Sequence, residues 1–279
     1  MTIPMTGQAA GVPFLALPPS GGPRPDAPAV LAWHLMDPPR TEAAFAAALP
    51  LAGLDAWRIY LGLPMTGSRT PPGGDEEVMR LGYEDAVLNL FGPISDQAVA
   101  ELAPAYDELR RELDLGSGPV GVLGGSHGAA VAQLVIAEGT VDVSAAVLVS
   151  PVVRLRSIVE ANARNYDMTY TWSEPSLAVA GRMDFVARAD EVSWPATLLV
   201  IGADDDASGV REPAEQLHAA LADRSASQER AELIVIDGMG HALADEPGTE
   251  PAPQTAHAAE VDEHAVRWLR RHLVEAGRR

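Results

Sequence analysis

The chain has 279 residues, 47% of them hydrophobic, with a formal net charge of −19 and no cysteine. That is enough apolar material for a substantial core, and it excludes disulfides, thiolate catalysis and zinc–thiolate sites. All 20 basic residues are arginine, which removes lysine Schiff-base chemistry, and a surface this acidic repels nucleic-acid phosphates and anionic lipid.

Residues 12–17 are predicted as a first strand or part of a pair of edge strands, followed by a turn-rich loop over 18–28. Residues 29–34 are short, continuous and apolar, as a parallel strand covered on both faces should be. The segment Leu35-Met36-Asp37-Pro38-Pro39-Arg40 leads to a predicted helix over 41–49 and a strand over 56–61. A glycine- and proline-rich loop (64–75) and a short helix (84–90) come next. A longer helix then starts at Ser95, with Val99, Leu102, Tyr106, Leu109 and Leu113 three or four apart. Pro104 inside it predicts a kink. Beyond a strand over 145–149, the alternation lapses. Residues 152–193 carry helical patches and the aromatics Tyr166, Tyr170 and Trp172, and are predicted as a small helical lid inserted into the sheet domain. Strands over 197–201 and 232–236, helices near 212–221 and 261–273, and an acidic proline-rich loop over 245–253 complete the pattern. Strands alternating with helices imply an α/β class domain spanning 1–279, with a mostly parallel central sheet flanked by helices. In such sheets the sites form at the carboxyl ends of the strands.

The chemistry centres on residues 120–132, where an apolar run meets a small-residue helical pattern. Between them lies Gly124-Gly125-Ser126-His127-Gly128, a G-x-S-x-G pentapeptide. In a strand–turn–helix setting this describes a nucleophile elbow, with the serine on a tight turn and glycines where two backbones pass too close for side chains. The N-terminal N–H groups of the following helix aim at a developing oxyanion. A serine hydroxyl needs a base, and the base an orienting acid. Of the 7 histidines, His241 stands out, in the glycine-rich loop Asp237-Gly238-Met239-Gly240-His241 after a strand. His218, His264 and His272 lie on predicted helices and His257 in a loop, whereas His34 ends a strand and is a candidate to line the site. Three acids follow another strand end: Asp204, Asp205 and Asp206.

On these residues the chain resembles an α/β-hydrolase-fold serine hydrolase of the esterase/lipase type, from about Ala29 to the last helix. The order serine, acid, histidine is that family's order. Its frequent strand-end pattern G-x-x-D, laid on Gly202-Ala203-Asp204-Asp205, implies Asp205 as the acid, with Asp204 and Asp206 as alternatives. The resemblance implies an oxyanion hole made by the N–H of His127 and an N–H after the earlier strand, here that of Met36, with Leu35 as runner-up. Many members carry His-Gly there, and this chain reads His34-Leu35-Met36-Asp37 instead. The implied reaction is hydrolysis of a carboxylic ester of small or medium acyl chain through an acyl-enzyme. Tyr166, Tyr170, Trp172, Met183 and Phe185, with Leu35, are the candidate walls of the substrate pocket, and core packing is the competing role for each. Arg40 is a candidate contact for an anionic substrate group, or a solvated residue at a helix start.

The same triad serves amidases, peptidases, thioesterases, lactonases and acyltransferases. A prolyl-oligopeptidase-like peptidase usually carries a large extra domain, for which this chain has no room. A non-catalytic binding protein of the same fold is the rival from another class. No dinucleotide fingerprint or metal-ligand cluster is visible, so no cofactor and no metal are expected. The expected partner is a small-molecule ester, with no nucleic acid and no membrane. The first residues do not look like a secretory signal, and a cytoplasmic location is expected.

Overall fold

The computed structural model describes residues 4–224 and 228–276. Its framework is an eight-stranded sheet: β1 (Met5–Ala9), β2 (Val12–Leu17), β3 (Ala29–Trp33), β4 (Trp57–Leu61), β5 (Val120–Gly125), β6 (Val143–Val149), β7 (Ala196–Gly202) and β8 (Ala231–Ile236), in the spatial order β1-β2-β4-β3-β5-β6-β7-β8. The first two strands are the edge pair. They form a hairpin closed by Ala10 and Gly11, both at positive φ, as a two-residue hairpin turn requires. β2 runs antiparallel to β4, and from β4 to β8 every pairing is parallel.

Helices cover both faces: α1 (Glu42–Ala48), α2 (Gly74–Asp85), α3 (Gly92–Glu112), α4 (His127–Glu138), α5 (Leu155–Asn165), α6 (Glu174–Arg182), α7 (Glu212–Arg224) and α8 (Ala256–Leu269). The central strands β3, β4, β5 and β7 are buried along their whole length. Successive side chains of β5 therefore enter two cores. Val122 packs with Leu102, Val131 and Leu134 of α3 and α4, and Leu123 joins Phe45, Val261 and Trp268 of α1 and α8. Each such Val or Leu adds roughly 1.5–3 kcal/mol by leaving water.

Three helices differ from the sequence reading. α2 begins inside the segment expected to be a loop and buries none of its residues. Its signature is mainly polar: three acids in its first turn and Arg80 paired with Glu77 and Glu84. A π-helical turn, Ala86–Phe91, joins it to α3 where a short helix was expected. α3 begins at Gly92, before the expected Ser95, and carries on through Pro104 as expected, with Leu102 and Ala105 buried on either side so that packing outweighs the one lost hydrogen bond. α8 starts five residues before the predicted 261, capped by the Thr255 hydroxyl. Residues 152–195, with α5 and α6, form the insertion between β6 and β7.

Candidate active site

Ser126 sits between β5 and α4 at φ 48°, ψ −117°, a backbone conformation costing an L-residue on the order of 1–3 kcal/mol. Its surroundings hold it there. Its N–H donates to Val149 O at 2.9 Å, and its carbonyl accepts from Ala129 N at 3.0 Å and Val152 N at 3.2 Å. The flanking glycines are required by contact. A Cβ on Gly124 would collide with the Gly128 carbonyl, and one on Gly128 with the carbonyls of Trp33 and His34. At Gly125 the same space is filled by the Leu35 side chain.

The loops after β7 and β8 bring two more groups to the hydroxyl. Gly202 ends β7 where any side chain would strike the Met239 carbonyl, so the loop carrying His241 passes directly over it. Ala203 N–H donates to Ile236 O (2.9 Å) and Asp204 N–H to Met239 O (3.0 Å), which ties the two loops together. In that arrangement His241 Nε2 lies 2.8 Å from Ser126 Oγ, and His241 Nδ1 lies 2.9 Å from Asp205 Oδ2 and 3.1 Å from Oδ1. Asp205 is buried and also accepts the Asp206 N–H at 2.7 Å. Its neighbours do other work: Asp206 caps the turn after it by accepting from Gly209 N (2.7 Å), and Asp204 faces solvent.

Burial alone would lower the His241 pKa. The hydrogen bond to Asp205 and the charges of Asp205, Asp37 and Asp206 outweigh it and raise the pKa above the ordinary 6.5. A base held by a buried carboxylate and aimed at a serine hydroxyl is equipped to take the proton as the oxygen attacks a carbonyl.

Among the hydrogen bonds of the described residues, none is donated by the N–H of Met36 or of His127. The first lies in the loop after β3, whose Trp33 and His34 carbonyls pack on Gly128, and the second directly follows Ser126. The loop carrying Met36 is braced by the buried His34, whose Nδ1 is 2.6 Å from the Leu35 carbonyl and whose Nε2 accepts the Leu63 N–H at 3.0 Å. Burial pushes the His34 pKa down to about 4, so its ring is neutral and structural rather than a wall of the site. The His127 ring likewise turns inward, with Nε2 3.0 Å from Ser95 Oγ and its face 5.2 Å from the Phe91 ring. Arg40 pairs with Glu246 at 2.9 Å, so its charge already has a partner.

The candidate pocket walls divide. Met183 and Phe185 are fully buried: the Met183 sulfur accepts from Ser95 Oγ and Phe185 meets Trp194 edge-on. They are core residues, a correction to the sequence reading. Leu35 is also fully buried, packed on Gly125, and supports the site from beneath. Trp172 packs against Tyr170 at 4.7 Å, with the Arg156 guanidinium over its ring at 5.4 Å. Tyr166 and Tyr170 of the set line a cleft, of about 510 Å³, between α2 with its π-helical turn on one side and α5 with residues 166–171 on the other. Met79, Tyr83 and Phe91 line it too. The first two escaped the sequence reading because their helix did; their i, i+4 spacing on a polar helix was the available signal. Among the described residues there is no cluster of side chains suited to a metal ion and no helix long and apolar enough to cross a membrane.

A family model described as Prolyl oligopeptidase family matches residues 94–274. No curated protein matches the sequence. Among solved structures, TT1662 from Thermus thermophilus superposes with a TM-score of 0.62 at 19% identity, covering 98% of each chain. A puromycin-hydrolyzing peptidase from Mycobacterium tuberculosis gives 0.63 at 16% identity, over 98% of this chain and 39% of its own. Carboxyl esterase 2 from the mycorrhizal fungus Tuber melanosporum gives 0.56 at 16% identity, over 98% and 87%. The chain thus spans well under half the length of that peptidase. At these identities the likenesses carry the fold, an α/β-hydrolase fold shared by esterases and peptidases. The family match falls on the hydrolase domain itself. The family match therefore does not separate peptidase from esterase.

Proposed function

Because the chain belongs to the prolyl oligopeptidase family and is an α/β-hydrolase-fold serine hydrolase, we propose that Ser126, His241 and Asp205 are its catalytic triad and that it cleaves a carboxylic ester of small or medium acyl chain. One observation carries this reading: the contact of His241 Nε2 with Ser126 Oγ at 2.8 Å, with Nδ1 held by a buried carboxylate at 2.9 Å.

Ser126 Oγ attacks the carbonyl carbon as its proton passes to His241 Nε2. Asp205 keeps Nδ1 protonated, which leaves Nε2 free to accept, and then stabilises the imidazolium. The N–H groups of His127 and Met36 receive the tetrahedral oxyanion. His241 returns the proton to the leaving oxygen, and water enters and resolves the acyl-enzyme by the same steps reversed. The cleft edged by Tyr83 and Tyr166 takes the apolar part of the substrate, with residues 152–193 acting as its lid.

Family membership favours a second reading, an amide or peptide bond as the one cleaved, by the same groups with the leaving nitrogen protonated by His241. The deciding experiment is hydrolysis of p-nitrophenyl esters from acetyl to long acyl, run beside Ser126→Ala. We expect turnover that falls at least about 10³-fold in the variant while its circular dichroism is unchanged, with the chain-length profile sizing the acyl site. No turnover on any ester, with a fluorophosphonate still labelling Ser126, moves the assignment to the amide. Retained turnover in Ser126→Ala overturns the mechanism.

A further inference from the structure

The loop after β3 carries a charge that this chemistry does not use. Asp37 Oδ2 lies 3.6 Å from His241 Nε2, the same nitrogen that meets the Ser126 hydroxyl. The Asp37 side chain is 54% exposed, and among the described residues it has no charged partner besides His241. Arg40, three residues on, is taken by Glu246. The next residue back is Met36, whose N–H is a candidate oxyanion donor, so the carboxylate borders the place where the substrate carbonyl must lie.

This carboxylate is held in place. The loop that bears it is tied to the loop following His241 at four points: Leu243 N–H to Pro38 O at 3.0 Å, Arg40 N–H to Gly248 O at 2.7 Å, the Arg40–Glu246 pair, and Thr41 Oγ1 to Thr249 O at 2.9 Å. Pro38 also lies so close over Gly248 that a side chain there would collide with it. Asp37 and His241 therefore belong to one braced unit.

A fixed anion beside a developing oxyanion works against the transition state for a neutral acyl group, and more strongly for an anionic one. A substrate with an ammonium on the carbon next to the scissile carbonyl reverses the effect, because that cation lies within reach of both the carboxylate and the oxyanion. The charged groups nearest the base, Asp205 and Asp206, are also anions. The cleft between α2 and α5 has Glu84 and Asp85 in its lining and no arginine, lysine or histidine.

We propose that Asp37 is a specificity-determining residue that binds the protonated α-amine of an aminoacyl ester or amide, so that acyl groups with a free amino terminus are cleaved in preference to N-blocked or anionic ones. The proposal rests on the assignment of Ser126 and His241 as nucleophile and base.

The test compares kcat/KM for the methyl esters of phenylalanine and N-acetylphenylalanine at about pH 6, below the ~7 to 8 range in which α-amines of esters and peptides titrate, so that the amine is largely protonated. p-Nitrophenyl butyrate serves as a neutral reference. The wild type should prefer the free amine by about ten- to a hundredfold, the size of one charge-assisted hydrogen bond. Asp37→Asn should bring the ratio close to unity, and Asp37→Glu should keep part of it. Taking the ratio within each variant cancels any change that the substitution makes in His241. A wild-type ratio at or below one, or a ratio unchanged in Asp37→Asn, overturns the proposal while Ser126-dependent turnover of the butyrate leaves the hydrolase reading standing. Failure to hydrolyse any of the three, with no fluorophosphonate labelling of Ser126, overturns both.

Discussion

The strand–turn–helix of residues 120–138 and the insertion of residues 152–195 meet where Val152 N–H bonds the Ser126 carbonyl, yet they are built by opposite rules. In the first, every residue from Val120 to Ile136 is buried, and three glycines occupy points where one added carbon would strike a neighbouring main chain or side chain. In the second, α5 buries Leu155, Val159 and Ala161, and α6 only Ser176 and Ala180. Polar ties position the insertion: Arg154 with Asp184 at 3.1 Å, the Tyr170 hydroxyl donating to Asp85 at 2.6 Å, and the reciprocal Ser173–Ser176 cap. The contrast shows where each property resides. Close packing sets the position of the proposed nucleophile's oxygen, while the wall of the cleft is held by contacts that exchange readily with water.

The substitution that should break this comparison most completely on the rigid side is Asp205→Asn. It removes the charge that orients His241 while leaving the shape, so kcat should fall roughly 10²- to 10⁴-fold. Asp204→Asn, at an exposed carboxylate beside it, should stay within a few-fold in the same steady-state assay. Gly128→Ala comes next, read as stability. The new methyl meets two main-chain carbonyls that cannot turn aside, and we expect a loss of about 3 kcal/mol or more in urea denaturation. A smaller effect concerns pH. The base must be neutral to act, and its pKa is raised above 6.5, so kcat/KM should fall as pH drops through an apparent pKa above that of free imidazole. Asp37→Asn removes one of the charges that raise it and should move this limb to lower pH. On the soft side, Tyr166→Ala should leave the unfolding free energy almost unchanged, within about 0.5 kcal/mol in urea denaturation, because the side chain is 69% exposed. It should raise KM several-fold for substrates with a large apolar group. A marked loss of stability instead would mean that the insertion is packed as tightly as the elbow.

Much of the site was readable along the chain because its constraints are local. Gly124, Gly125 and Gly128 around Ser126, between an apolar run and a small-residue helix, state a steric requirement within a dozen residues. The buried strands announce themselves by unbroken apolar runs such as 29–33 and 197–201, where both faces of the sheet are covered. His241 and Asp205 were legible as polar groups just past strand ends. The G-x-x-D pattern of the resemblance pointed to Asp205, with Asp204 and Asp206 as alternatives, and the fold turns the Asp205 carboxylate inward under the imidazole. α2 was missed because nothing in it is buried, so its only marks were charge spacing and the i, i+4 pair Met79 and Tyr83.

By itself, then, the sequence determined the chemistry on offer: an eligible nucleophile on a tight turn, a base and acids on loops at strand ends, and an alternating α/β order that gathers such loops at one edge of a parallel sheet. Only the tertiary structure decided which side chains reach that edge. It sent Met183 and Phe185 into the core, left Tyr166 on a cleft, and set Asp37 against His241. The reason is physical. Backbone sterics and hydrogen-bond periodicity act over a few residues and leave their mark on neighbouring letters. The distance between two loops depends instead on which strands lie side by side, and in what register, across the whole sheet.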